Sequence, residues 1–174
     1  MEWTGQVYAD SPVVAAQTYI EAPPERVWPL VSDIFLMPGL SGELQEVTWL
    51  DGVTGPALGC RFAGRNANEY NGTWETVSTV IECDEPRCFA WAVGDPGHPS
   101  ATWRFTLRPD RAGPGAGTVL EQWMQMGPAR SGLSLAIDAM PDKEAKIVFV
   151  RLRELEGGMK HNLAAIKELA EQAA

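Results

Sequence analysis

Polar side chains interrupt the apolar runs in the middle of the chain, and their types could support acid–base or hydrogen-bonding chemistry. They are Arg65, Asn66, Glu75, Glu121 and Gln122. A carboxylate that faces a dry interior has a raised pKa and can act as a general acid or base. Strand alternation places Glu121 and Gln122 on opposite faces, but the sequence does not say which face is inward. An ordinary solvated position is therefore the alternative for each of them.

Large aromatic and thioether side chains form a second set with a chemical role. Indole rings bury a large area and still offer one N–H donor, and thioethers adapt to irregular cavities. Four of the seven tryptophans fall on four consecutive predicted strands, where they are candidates to line a ligand cavity. The predicted lining comprises Trp74, Trp91, Trp103, Phe105, Trp123, Met124, Met126, Met140, Val148, Leu152 and Met159. Plain core packing is the alternative for each residue.

The cysteines and histidines do not form a recognisable reactive site. Cys60, Cys83 and Cys88 contain no CxxC pair, and His98 and His161 lie far apart in the chain. A zinc site needs closely spaced ligands, and a catalytic triad needs a histidine oriented beside a nucleophile. We therefore expect no metal, no cofactor and no nucleophilic triad, and the sequence assigns no catalytic residue.

Charge is distributed unevenly along the chain, whose formal net charge is −9. Residues 1–87 carry 13 acidic and 4 basic side chains, whereas residues 88–174 carry ten of each. The lack of a basic patch disfavours binding to nucleic acid or to anionic lipid. No apolar stretch approaches the 18 residues of a membrane span, and no signal peptide is recognisable. The odd number of cysteines fits a reducing compartment, so we expect a cytoplasmic protein.

The hydrophobic pattern predicts the elements that must position these side chains. A strand at 13–22 precedes two short helical pieces at 24–33 and 34–40, and a long helix covers 142–171. Six further strands are predicted at 44–50, 58–66, 73–83, 88–93, 101–107 and 118–126. The adjacent Gly157 and Gly158 predict a kink or a close backbone contact in the long helix.

This order of elements predicts an α+β fold in which a curved antiparallel sheet of six or seven strands wraps around the C-terminal helix. A length of 174 residues suits one domain. We expect that domain to span residues 13–174, preceded by an N-terminal arm at 1–12. A sheet curved around a helix leaves a gap between them unless large side chains fill it.

Four segments carry a resemblance to a known family. They are IEAPPERVWPLVSDI (20–34), LQEVTWLDGVTGPALGCRFAGRN (44–66), ATWRFTLRPDRAGPGAGTVLEQW (101–123) and RELEGGMKHNLAAIKELAE (153–171). In this order they resemble the START-like, Bet v 1-like superfamily, specifically its bacterial polyketide cyclase/dehydrase branch of SRPBCC proteins. The resemblance covers residues 13–172 and implies a helix-grip fold with an internal cavity between the sheet and the long helix.

The resemblance also implies a function. We expect a hydrophobic small molecule, aromatic or polyketide-like, to bind in the cavity. Were the protein an enzyme, it would act as a cyclase or dehydrase through the shape of the cavity and ordered water. The alternatives are a non-catalytic carrier of lipid or another hydrophobic ligand, and a stress-related interaction module whose cavity is vestigial. The identity of the ligand and a homodimer formed through a sheet edge stay open.

Overall fold

The structure is a computed structural model, and it describes residues 1–69, 72–110 and 117–172. Within these ranges seven antiparallel strands form one sheet in the order β1-β7-β6-β5-β4-β3-β2. The strands are β1 (Val13–Ile20), β2 (Leu44–Trp49), β3 (Arg61–Asn68), β4 (Gly72–Asp84), β5 (Cys88–Asp95), β6 (His98–Asp110) and β7 (Gly117–Met126). The helices are α1 (Pro24–Ser32), α2 (Met37–Leu40), α3 (Gly132–Ala139) and α4 (Glu144–Gln172).

One face of the sheet, the inner face, is buried against α4 because side chains alternate along each strand. On this face of β7 the buried positions are Thr118, Leu120, Gln122, Met124 and Met126. The register continues this face into β6, where Trp103 lies opposite Met124 and Leu107 opposite Leu120. On β5, Trp91 and Phe89 lie opposite Trp103 and Phe105.

A first hydrophobic cluster closes the end of the sheet that α1 covers. Pro24 occupies the first turn of α1, where its missing N–H removes no hydrogen bond. Val27, Trp28 and Val31 form the buried side of this short helix. Their partners from the sheet and α4 include Ile20, Phe89, Leu107, Leu120, Leu163 and Ile166.

A second hydrophobic cluster lies toward the first turns of α4. It comprises Val14, Met124, Met126, Val148, Leu152 and Met159. Leu133 and Ile137 of α3 pack against it. The sequence did not predict α3, because its Ser- and Gly-rich start is typical of a loop. The Ser131 N–H donates to Ser134 Oγ at 3.1 Å, which satisfies one unpaired donor at the helix start.

The N-terminal segment packs along α4. The Trp3 ring meets the Phe149 ring edge-on with centroids 5.1 Å apart, and the Tyr8 N–H donates to Glu144 Oε1 at 3.0 Å. Residues 58–60, predicted as the start of a strand, instead belong to a turn in which the Cys60 N–H donates to the Ala57 carbonyl. β3 therefore begins at Arg61.

The sheet curved around α4 confirms the predicted helix-grip fold. α4 continues through Gly157 and Gly158 as one helix of 29 residues. Outside the helix's own nearby backbone, no described atom lies within 4 Å of a Cβ added at either glycine. The expectation of a close backbone contact at these glycines is therefore wrong. In the part of the chain that the structure describes, no helix is long and apolar enough to cross a membrane.

The open surroundings of the two glycines give a stability prediction. Gly158→Ala and Gly157→Ala should each raise the free energy of unfolding by about 0.5–1 kcal/mol, since alanine loses less backbone entropy in a helix. Urea denaturation measures the change. Gly117→Ala is the control with the opposite sign, because a Cβ there would collide with the Tyr19 ring. Destabilisation by both helix variants would show that α4 requires the flexibility of glycine.

Candidate functional site

The aromatic side chains of the inner face form one connected network around Trp91. Trp91 and Trp103 stack with their ring planes 8° apart and centroids separated by 6.2 Å. Trp91 also contacts Phe62, Phe89 and Phe105, with centroids 5.6–6.2 Å apart. Trp91 is only 8% exposed, whereas Trp103 remains partly exposed and packs against both hydrophobic clusters. Trp103 is therefore an accessible part of a rigid aromatic surface, as is Trp49, whose ring centroid lies 5.7 Å from that of Phe62.

A pair of amides lies between the two hydrophobic clusters. Gln122 is 4% exposed and stands on β7 between Leu120 of the first cluster and Met124 of the second. Asn162 occupies the matching place on α4, between Met159 and Leu163. The two side-chain amides lie 3.4 Å apart. The interior thus contains a polar layer bounded by apolar side chains on both sides.

The Asn162 amide also reaches Leu40, the last residue of α2. Oriented to satisfy its neighbours, its nitrogen donates to the Leu40 carbonyl at 2.6 Å and to the Gly158 carbonyl at 3.2 Å. The oxygen of the Asn162 amide then faces Gln122. Asn162 therefore links α2, α4 and the inner face of the sheet at one point.

An ion pair joins α4 to the start of β2. The Arg151 Nη1 and Nη2 groups donate to the two oxygens of Glu43 at 2.6 and 2.7 Å, and Asn68 Nδ2 donates to Glu43 Oε1 at 3.0 Å. Both charged side chains are largely buried, at 23% and 30% exposed. Burial raises the pKa of Glu43, but the hydrogen bonds and charge of Arg151 outweigh it and leave that pKa below its usual value.

Four predicted site residues lie on the outer face of the sheet. Arg65 pairs with Glu46 at 2.7 Å, and the Arg104 guanidinium lies 5.1 Å from the centroid of the Trp123 ring. Glu75 lies opposite Arg65, and Glu121 opposite Thr106. The structure corrects the prediction that Trp123, Arg65, Glu75 and Glu121 line the interior, because their positions in the alternation point away from α4. Met140, at the end of α3, is 43% exposed and also lies outside the interior.

The other predicted residues share the inner face or the buried side of α4. Trp74 stands on the same face of β4 as buried Ser78 and Val80, and Asn66 lies opposite it. Asn66 Nδ2 donates to Thr76 Oγ1 at 3.3 Å. The remaining residues that face inward are Trp91, Trp103, Phe105, Gln122, Met124, Met126, Val148, Leu152 and Met159.

A pocket of about 630 Å³ lies on the outer face, across β4, β5 and β6. Glu82, Arg87, Cys88 and Arg104 contribute to its lining. Burial, followed by a hydrogen bond to Glu82, raises the pKa of the Cys88 thiol to about 12, so this thiol stays protonated at neutral pH. The pocket therefore offers a polar surface without a reactive sulfur and is separate from the aromatic interior.

Three residues of the interior were not predicted from the sequence. Glu43 and Arg151 stand 108 positions apart, and nothing in the local pattern of either links them. Asn162 follows His161 in α4, one position to the side of the apolar stripe that the sequence shows. A helical projection that tracked polar as well as apolar residues would have placed Asn162 beside Leu163 and Met159.

The Glu43–Arg151 pair predicts how stability depends on pH. A carboxyl with a lowered pKa stabilises the fold above its unfolded pKa of about 4.3, and this contribution disappears as the pH falls through the folded pKa. Glu43→Gln should therefore lower the free energy of unfolding by roughly 1–2 kcal/mol at neutral pH. This loss lies between those typical of breaking an exposed and a buried ion pair. The difference from the unmodified protein should shrink below about pH 4. Urea denaturation across this range measures both effects.

The matched control is Asp51→Asn. Asp51 and Arg61 form an equally bidentate pair, with both distances 2.8 Å, but each side chain is about half exposed. Because solvent screens an exposed pair, the free energy of unfolding of this variant should stay within about 1 kcal/mol of that of the unmodified protein. Equal losses in the two variants would contradict a special role for the pair that joins α4 to β2.

Solved structures show the same architecture. The Polyketide_cyc-like protein Cgl2372 from Corynebacterium glutamicum is 31% identical over 91% of each chain, with a TM-score of 0.64. The Zhui aromatase/cyclase from Streptomyces sp. R1128 is 15% identical over 92% of this chain and 94% of its own, with a TM-score of 0.63. DR_A0006 from Deinococcus radiodurans is 16% identical over 94% and 100%, also with a TM-score of 0.63. The last two show a shared fold alone.

The family comparison agrees with the resemblance that the sequence motifs carry. The family described as polyketide cyclase/dehydrase and lipid transport matches residues 11–171. No curated protein sequence matches the chain. Because the match spans the sheet, the short helices and α4, the chain belongs to the polyketide cyclase/dehydrase and lipid transport family.

Proposed function

We propose that the protein binds a hydrophobic, aromatic or polyketide-like small molecule between the inner face of the sheet and α4. The observation that carries this proposal is the stacked pair of Trp91 and Trp103. Trp91 is fixed by rings on several sides, whereas Trp103 keeps part of its surface accessible. A flat ligand that covers this surface gains apolar burial of about 25 cal/mol per Å² without reorganising the protein.

The surroundings of Trp103 support an aromatic ligand. Partly buried Leu155 and buried Met124 lie in the second cluster, against which Trp103 packs. A thioether and an aliphatic side chain follow the outline of a planar ring, and the indole offers a face for offset stacking. The nearby polar layer supplies groups that can fix the orientation of the ligand.

Cyclase or dehydrase activity is the second candidate function. Two structural neighbours, Zhui and the di-domain protein StfQ from the steffimycin biosynthetic pathway, are aromatase/cyclases. Glu75 and Glu121, the carboxylates predicted to act inside, lie on the outer face. Turnover would therefore depend on holding a flexible chain in a reactive conformation, which is a proximity effect.

Replacing the accessible ring tests the proposed site. Trp103→Leu should weaken binding of N-phenyl-1-naphthylamine, a neutral aromatic fluorophore, by about tenfold, since the stacking surface is lost while the interior stays apolar. Fluorescence titration measures the affinity. Trp123→Leu is the matched control because it removes the same ring from the outer face of the adjacent strand. Equal losses in both variants, or no binding by the unmodified protein, would refute the proposed site.

The natural ligand can be sought directly. Native mass spectrometry of the protein purified from its own host should show a bound mass that organic extraction releases. The Trp103→Leu protein, expressed in the same host, should carry less of it than the Trp123→Leu protein. A complex that survives equally in both variants would contradict binding against Trp103.

A further inference from the structure

The boundary between the two hydrophobic clusters is marked by amides on both of the elements that cross it. Gln122 interrupts the apolar inner face of β7, and Asn162 borders the apolar stripe of α4 at the same level. Burying an amide in apolar surroundings costs free energy unless hydrogen bonds replace those made to water. The buried Gln122 amide, facing the partly buried Asn162 amide, therefore indicates a built polar layer.

Gln122 has hydrogen-bonding capacity beyond its contact with Asn162. A side-chain amide offers two N–H donors and an oxygen with two lone pairs. With Asn162 oriented as described above, its amide oxygen faces the Gln122 amide, so Asn162 can accept a hydrogen bond from Gln122 but donates none to it. Phe105, directly opposite Gln122 on β6, adds only apolar surface. An oxygen-bearing group placed beside Trp103 would lie near an amide that can both donate to it and accept from it.

The charge of the interior argues for a neutral ligand. The Arg151 guanidinium, which could attract an anion, is engaged by both oxygens of Glu43. A carboxylate moved beside Gln122 and Asn162 would meet dipoles rather than a cation, and desolvation of an unpaired ion is costly. The formal net charge of −9 adds a long-range field that opposes approach of an anion.

We propose that Gln122 and Asn162 are the polar anchor of the ligand site and select a neutral aromatic molecule bearing a hydroxyl or carbonyl oxygen over an aromatic carboxylate. This inference rests on the proposed function, since it assigns the ligand class of the same site. The ring would cover Trp103, and its oxygen would exchange hydrogen bonds with the Gln122 amide. The anchor would favour phenolic and quinone-like ligands over fatty acids.

Three probes built on the same naphthalene ring test the proposal: naphthalene, 2-naphthol and 2-naphthoate. At neutral pH the unmodified protein should bind 2-naphthol about tenfold more tightly than either of the others, because only the neutral hydroxyl satisfies the amide layer. Displacement of N-phenyl-1-naphthylamine reports all three affinities. In Gln122→Leu the advantage of 2-naphthol over naphthalene should fall to about twofold or less, while naphthalene still binds.

Gln125→Leu is the matched control because Gln125 lies three residues along β7 on the outer face. The double variant Gln122→Leu/Asn162→Leu removes both amides, in case a lone Asn162 destabilises the single variant, and thermal unfolding checks each fold. Binding of 2-naphthoate as tight as 2-naphthol, or an advantage of 2-naphthol that survives in both amide variants, would overturn the anchor alone. Failure of the fluorophore and all probes to bind would instead overturn the proposed function.

Discussion

The packing of Trp91 at the centre of the inner face is the contact on which the rest of the structure depends. Its neighbours come from β3, β5 and β6, and Phe89 extends the network to Trp28 of α1. Such rings bury large areas, and their edge-to-face and stacked contacts add to that burial. Trp91 thereby connects rings of three strands with the Trp103 surface and, through Phe89, with α1.

The proposed site lies at the border of this aromatic core, where polar side chains replace the rings. Toward α1 the interior is filled, and toward α3 it passes through the amides of Gln122 and Asn162 to the second cluster. On the side of β2, Glu43 and Arg151 tie the sheet to the helix with a pair that is already neutralised. An aromatic surface, a neutral polar layer and a closed ion pair make a surrounding suited to an uncharged, planar guest.

The sequence predicted the elements well because strong periodicity and turn residues mark them, and the motif order predicted the helix-grip fold. It could not choose between the two faces of a strand. Trp103 and Trp123 both stand in alternating runs, and only the hairpin register places the first inward and the second beneath Arg104.

The sequence also could not predict the pair of Glu43 and Arg151, because their contact depends on tertiary structure. α3 was missed because Ser and Gly dominate its start, although Leu133 and Ile137 give it a buried side.

The division of the interior into two clusters has a consequence for how the molecule opens. Breaking the second cluster requires separating α3 and the first turns of α4 from the ends of β1 and β7, while the larger cluster around Trp91 stays packed. Such a sub-global opening has a lower free energy than complete unfolding. Amide hydrogens near α3 are accordingly the ones to exchange early with solvent. Because Trp103 packs against both clusters, such an opening would expose more of its ring while the larger cluster keeps the fold together.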